Sequence, residues 1–211
     1  MDDCMGSKEG ALDLELKKTT RPRDFNEFVG QDAVKIPIGM AIKRAREVGQ
    51  RLDHILLSGP PGLGKSTLAE IVSGCSAKII PCAMLAKPSE MLYYLTRAKL
   101  AEAEFIILDE VHALSRKTSE HLYSVMQDGV IHTPLGKEDM HFVVIGTTTD
   151  PGKCAGPLRD RFGIQMTLDY YSAPELATIV MRAGLKMTQV AIGQEAAEAL
   201  AGYARGTPRV A

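Results

Sequence analysis

Eight residues constrain this chain more than any others: Gly59-Pro60-Pro61-Gly62-Leu63-Gly64-Lys65-Ser66. Two glycines flank four residues and are followed by Lys and Ser, the pattern of a phosphate-binding loop. From average composition the pattern arises by chance in roughly one chain of this length in a hundred. The apolar run Ile55-Leu56-Leu57 leads in, and the helix-like run Thr67-Leu68-Ala69-Glu70-Ile71-Val72 leads out, the strand–loop–helix context that such a loop requires. Glycines let the backbone curl so that successive N–H groups point at phosphate oxygens, and the helix that follows adds the positive end of its dipole. Lys65 can reach the β- and γ-phosphates of a bound nucleotide, and the Ser66 hydroxyl can ligate Mg²⁺. Thr67 completes the candidate nucleotide-binding set.

The flanking pattern predicts a parallel α/β domain. Ala77–Ile80 reads as a second short strand, the apolar runs Phe105–Leu108 and Phe142–Gly146 as buried strands, and Ile164–Leu168 as a fifth strand. Between them fall helical patterns. The first has Ile38, Ala41, Ile42 and Ala45 on one face and is expected to begin near Pro37. A second opens at Pro88-Ser89-Glu90 with Ser89 as N-cap, and a third covers Ser119–Met126. Val130-Ile131-His132 and Met140-His141 flank Pro134-Leu135-Gly136-Lys137 as a hairpin. Strands alternating with helices argue for a doubly wound fold. From Ser172 the pattern is purely helical, Pro174–Gly184 and then Gly193–Tyr203. The expected domains are a mobile arm over 1–20, an α/β domain over 21–171 and a partial all-α lid over 172–211.

A second chemical feature follows the run Phe105–Leu108: the acids Asp109-Glu110. A strand ending in acids places carboxylates at the carboxyl edge of a parallel sheet, where ligands bind in such folds. Asp109 is expected to hold Mg²⁺ with Ser66, and Glu110 to orient or deprotonate an attacking water. His112 beside them reads either as a packed histidine or as a link from nucleotide state to subunit contacts. His54, His121, His132 and His141 form no ligand spacing. The net charge of −1 gives no global sign of nucleic-acid binding. No apolar run approaches the roughly 20 residues that cross a bilayer. Cys4, Cys75, Cys82 and Cys154 lack metal spacing and suit reduced thiols in a cytoplasmic protein.

The loop and the acidic pair together resemble those of AAA+ ATPases, and several further stretches are similar to the RuvB family of Holliday-junction motors. These are Arg21-Pro22, Val29-Gly30-Gln31, Leu52-Asp53-His54, Asp109-Glu110-Val111-His112, Pro157-Leu158-Arg159-Asp160-Arg161-Phe162-Gly163 and Arg205-Gly206-Thr207-Pro208-Arg209. The resemblance covers residues 20–211. It implies a P-loop AAA+ fold, ATP and Mg²⁺ as cofactors, and ATP hydrolysis in a ring, hexameric by family, that drives branch migration of DNA. Residue by residue it implies that Thr149 is the sensor that holds the attacking water, and that Arg161 is an arginine finger inserted into the neighbouring subunit's site. Arg209 is implied as a second sensor on the helical lid, and Arg21, Val29 and Tyr171 as lining the adenine and ribose pocket.

Departures from the family bear on partners. Gly129–His141 is clearly shorter than the long hairpin with which the family docks on RuvA, which puts docking on a RuvA-like partner in doubt. The family's winged-helix DNA-binding domain does not appear, and the lid is cut just after Arg209. Fragment and minimised relative are both open readings. Two other functional classes stay open as well: a clamp-loader- or helicase-loader-like switch, and a nucleotide-binding scaffold with little turnover.

Overall fold

The computed structural model describes residues 19–74, 77–133, 136–140 and 142–211. The expected arm over 1–20, except its last two residues, lies outside the described residues, as do Cys4, Cys75, Pro134, Leu135 and His141. Contacts divide the chain into two units, Gln31–Asp169 and a second made of the segment up to Gly30 with Tyr170–Ala211.

The first unit is a five-stranded parallel sheet flanked by helices. Its strands are β1 (Ile55–Ser58), β2 (Ile79–Pro81), β3 (Phe105–Asp109), β6 (Val143–Thr148) and β7 (Ile164–Thr167), in the order β2-β3-β6-β1-β7. All four pairings are parallel. Every residue of β1 and of β6 is buried, as continuous apolar runs at the centre of a covered sheet require. Beside the sheet lie α1 (Asp32–Val48), α2 (Lys65–Val72), α3 (Pro88–Leu100), α4 (Arg116–Asp128) and the single turn α5 (Gly156–Arg159). One core cluster joins Leu108, Leu95, Leu122, Phe142 and Phe162 from strand, helices and loops.

Three local expectations are corrected. Helix α1 starts at Asp32, and Pro37 lies inside it. A proline there forfeits a backbone hydrogen bond and costs about 3 kcal/mol in a helix interior. Val34 and Ile38, one turn apart, are both buried, and that packing carries the helix across the proline. Its start is pinned by the Gln31 amide, which donates to Asp169 O at 2.6 Å and accepts from Asp169 N–H at 3.2 Å. In α3 the N-cap position is Lys87, not Ser89: Pro88 takes the first helical position, and Glu90 reaches back to accept the Lys87 N–H at 2.9 Å. In the hairpin, β4 (Val130–Thr133) pairs with β5 (Gly136–Asp139), so Gly136 and Lys137 belong to the strand and Met140 follows it. Thr133 pairs with Gly136 at the end of the ladder. Lys99 on α3 ties the hairpin down through Glu138 at 2.8 Å.

The second unit contains α6 (Ala173–Thr188) and α7 (Gln194–Tyr203), helices packed on each other, with segment 19–30 beside them. Ser172 and Glu175 cap α6, the carboxylate accepting the Ser172 N–H at 2.8 Å. Glu27 pairs with Lys186 at 2.9 Å, and its backbone carbonyl accepts from Arg182 at 3.0 Å.

Candidate nucleotide-binding site

The loop leaves β1 at Ser58 and turns through Gly59, Gly62 and Gly64, at φ of 138°, 83° and 93°. At Gly59 the need for glycine is absolute: a Cβ there would stand 2.5 Å from Leu168 O. Leu63 is fully buried and anchors the loop from beneath. Lys65 opens α2 and turns its ammonium back into the loop, donating to Gly59 O at 2.8 Å and Pro60 O at 2.9 Å. The ammonium therefore lies within the curl of the loop, where an anion would meet it. Pro61 is exposed, and Pro60 and Thr67 are half-buried.

The sheet register brings the acids to this loop. Ser66 Oγ donates to Asp109 Oδ1 at 2.9 Å. The same oxygen accepts from Thr147 Oγ1 at 2.5 Å. Glu110, the first residue past β3, takes a left-handed backbone conformation with φ 58°. For a residue with a side chain this costs on the order of 1 kcal/mol. Its N–H donates to Thr147 Oγ1 at 3.2 Å. Its carboxylate oxygen Oε2 accepts both the N–H and the hydroxyl of Thr149, at 2.9 and 3.0 Å. His112 Nδ1 stands 3.1 Å from the same oxygen and 2.9 Å from Thr148 Oγ1. His112 is thus packed into the site, and the tautomer protonated at Nδ1 adds a further donor to Glu110.

The result is one continuous path of hydrogen bonds from Ser66 through Asp109, Thr147, Glu110 and Thr149. Of the residues named from the sequence, Ser66, Asp109, Glu110 and Thr149 lie on this path and Lys65 lies in the adjoining loop; Thr147, on the path, and Thr148, beside it, were not named. The available signal was the run Thr147-Thr148-Thr149, three hydroxyls closing an apolar strand. A buried hydroxyl needs a partner, and a neighbouring strand that ends in acids supplies one.

Ser66 and Asp109 fit Mg²⁺. Ser66 directs its proton at Asp109, which leaves its oxygen lone pairs available, and both hydroxyl bonds to Asp109 fall on Oδ1. Hard oxygen donors of this kind suit the ion.

Arg161 stands elsewhere. It follows α5 and precedes β7, so it lies at the amino edge of the sheet, opposite the loop. Its guanidinium sits 4.9 Å from the centre of the Tyr123 ring and donates to Tyr123 OH at 3.1 Å and to Gln127 Oε1 at 2.9 Å. With Arg51, Asp53, His54 and Asp160 it borders an open cleft of about 300 Å³. Beside it, burial holds the His54 ring down to a pKa of about 4, and Val144 N–H donates to its Nδ1 at 2.9 Å. Arg21, Val29, Tyr171 and Arg209 belong to the second unit. There Tyr171 is buried and its N–H donates to Gly206 O at 3.0 Å, while Arg21 and Arg209 are exposed and Val29 is half-buried.

Comparison with known proteins adds kinship to this geometry. Residues 20–168 match the family model described as the Holliday junction DNA helicase RuvB P-loop domain. The Holliday junction branch migration complex subunit RuvB of Fusobacterium nucleatum is 35% identical over 223 aligned positions, which take in 100% of this chain and 66% of that protein. The same subunit from Thermomicrobium roseum is 39% identical over 93% of this chain and 58% of its own length. Among solved structures, the Thermotoga maritima RuvB Holliday junction branch migration motor superposes with a TM-score of 0.81 at 37% identity, covering 91% of this chain and 62% of that one. The chain thus spans less than two thirds of the length of these relatives.

Proposed function

This chain belongs to the RuvB P-loop domain family, and on that premise we propose that it binds ATP with Mg²⁺ and hydrolyses it in a ring of identical subunits to drive branch migration of DNA. The observation that carries the proposal is the hydrogen-bonded path from the phosphate loop to both acids, Ser66–Asp109–Thr147–Glu110–Thr149. Each group on it has a role. The loop amides and Lys65 bind the β- and γ-phosphates, Lys65 exchanging its two loop carbonyls for phosphate oxygens. Ser66 and Asp109 hold Mg²⁺, which when bound screens the phosphate charge. Glu110 orients the attacking water and receives its proton, and Thr149 fixes that carboxylate. Tyr171, Arg21 and Val29 are assigned to the base and ribose, and Arg209 to the γ-phosphate of its own subunit, by family resemblance.

Arg161 supports the ring. A four-residue strand is about 13 Å long, so a guanidinium at the amino edge stands far from the carboxyl-edge loop of its own chain. Tyr123 and Gln127 hold it at an exposed position on the surface of its own chain, where a neighbouring copy could receive it. The hairpin β4–β5, with four-residue strands, offers little surface, and docking on a RuvA-like partner is not part of the proposal.

Steady-state ATP hydrolysis across protein concentration, with and without four-way-junction DNA, tests this reading. Specific turnover should rise with concentration, rise again with junction DNA and vanish in Arg161→Ala. Turnover that is independent of concentration and intact in Arg161→Ala would refute the shared site. Nucleotide binding without turnover under every condition would refute the motor.

A further inference from the structure

Thr147 is fully buried at a position of β6 where every neighbour on the strand is buried too. Valine has the same shape and would suit such a strand better, so the hydroxyl calls for a reason. Both its capacities are used, and their direction is unambiguous. Glu110 N–H can only donate, at 3.2 Å, so Thr147 Oγ1 accepts there. The carboxylate of Asp109 accepts, so the Thr147 proton goes to Oδ1 at 2.5 Å. One side chain thereby holds the backbone of one acid and the carboxylate of the other. Successive donors in such a chain polarise one another, and a donor to a carboxylate is among the stronger bonds available. Thr148 and Thr149, by contrast, hydrogen-bond to His112 and Glu110, and neither hydroxyl is bonded to Asp109.

We propose that Thr147 is a positioning residue for the divalent cation. It pins Asp109 Oδ1 so that the carboxylate faces the cation held with Ser66, and it keeps the Glu110 peptide in the left-handed turn that presents its side chain. The proposal rests on the magnesium–nucleotide reading above. It makes metal affinity, rather than nucleotide affinity or fold stability, the quantity that the hydroxyl controls.

The test compares the full chain with Thr147→Val, which keeps shape and loses the hydroxyl, and with Thr147→Ser, which restores it. Thr147→Ala is the alternative should the valine variant fail to fold. Mn²⁺ binding to the complex with a non-hydrolysable ATP analogue is read by electron paramagnetic resonance, and analogue binding without metal by fluorescence. Loss of an outer partner of a metal ligand typically weakens binding roughly 10- to 100-fold. Mn²⁺ affinity should fall about tenfold or more in Thr147→Val and Thr147→Ala, return to within about twofold in Thr147→Ser, and leave metal-free analogue binding unchanged. Equal Mn²⁺ affinity in wild type and Thr147→Val would overturn the proposal, and so would a Thr147→Ser variant as weak as Thr147→Val. A wild-type chain that binds the analogue but never Mn²⁺ would fail the magnesium reading itself, a different result from either.

Discussion

Acidification should destabilise this fold through His54. The ring accepts the Val144 N–H at 2.9 Å, and burial lowers its pKa from 6.5 to about 4, with the Arg51 charge as a smaller cause. Protonation puts a hydrogen on the accepting nitrogen, so the Val144 N–H loses its partner as a buried charge appears. Between the two pKa values the unfolded chain binds the proton and the folded chain does not. Stability therefore rises with pH across this window and is lost as pH falls through it. Above 6.5 the group contributes no slope. Linkage puts the loss at up to about 2 kcal/mol by about pH 5 and up to about 3 kcal/mol by about pH 4. Carboxylates titrate over the same range, so the measurement has to be a difference. His54→Asn places an amide oxygen near the accepting nitrogen and has no proton to gain. Urea unfolding of wild type and His54→Asn between about pH 7 and pH 5 should give stability curves that diverge by up to about 2 kcal/mol at the acid end, wild type falling faster. Parallel curves would refute the argument, because they would mean that the folded protein takes up the His54 proton as readily as the unfolded one.

Three other outcomes follow from particular contacts. Glu110→Gln keeps the shape that Thr149 holds and removes the base, so ATP binding should persist while turnover falls by roughly 10²- to 10⁴-fold, measured by equilibrium binding and single-turnover hydrolysis. Gly59→Ala would force a Cβ to 2.5 Å from Leu168 O at a φ of 138°; a loss of about 2–4 kcal/mol in denaturant unfolding and of nucleotide binding is expected. Burial pushes the Cys82 thiol up to about 12 and raises that of Cys154, so native protein at about pH 8 should leave both unalkylated while unfolded protein labels them, as read by peptide mass spectrometry.

Much of the site was legible because its chemistry is local in sequence. A phosphate loop needs glycines, a lysine and a hydroxyl in consecutive order, since one turn of backbone does the binding. The acids were legible because a carboxylate closing an apolar strand lies at the sheet edge whatever the neighbouring strands are. Burial on both faces likewise writes continuous apolar runs into β1, β3 and β6, so the fold class followed from the sequence. Local competition misled the finer assignments. Pro37 signals a helix start, yet the buried pair Val34 and Ile38 outweighs it. Ser89 has the chemistry of a cap, yet Pro88 and Glu90 start the helix at the proline and leave the N-cap to Lys87, one residue before it.

What the sequence alone determined is therefore the inventory: a phosphate-binding loop pattern, two acids, a run of threonines, and strands for a parallel sheet. Which of these groups touch was decided by tertiary structure. β6 lies beside β3, with Leu108 opposite Gly146, and the next step along brings Thr147 to Asp109 across 38 residues of chain. No local propensity encodes that distance. The parallel pairing of β7 with β1, Ile164 opposite Ile55, places Arg161 before the amino end of β7, at the opposite edge and out of reach of its own loop. Strand order is a property of the whole packed sheet, fixed by which faces can be buried together, and it turns an inventory of residues into a site.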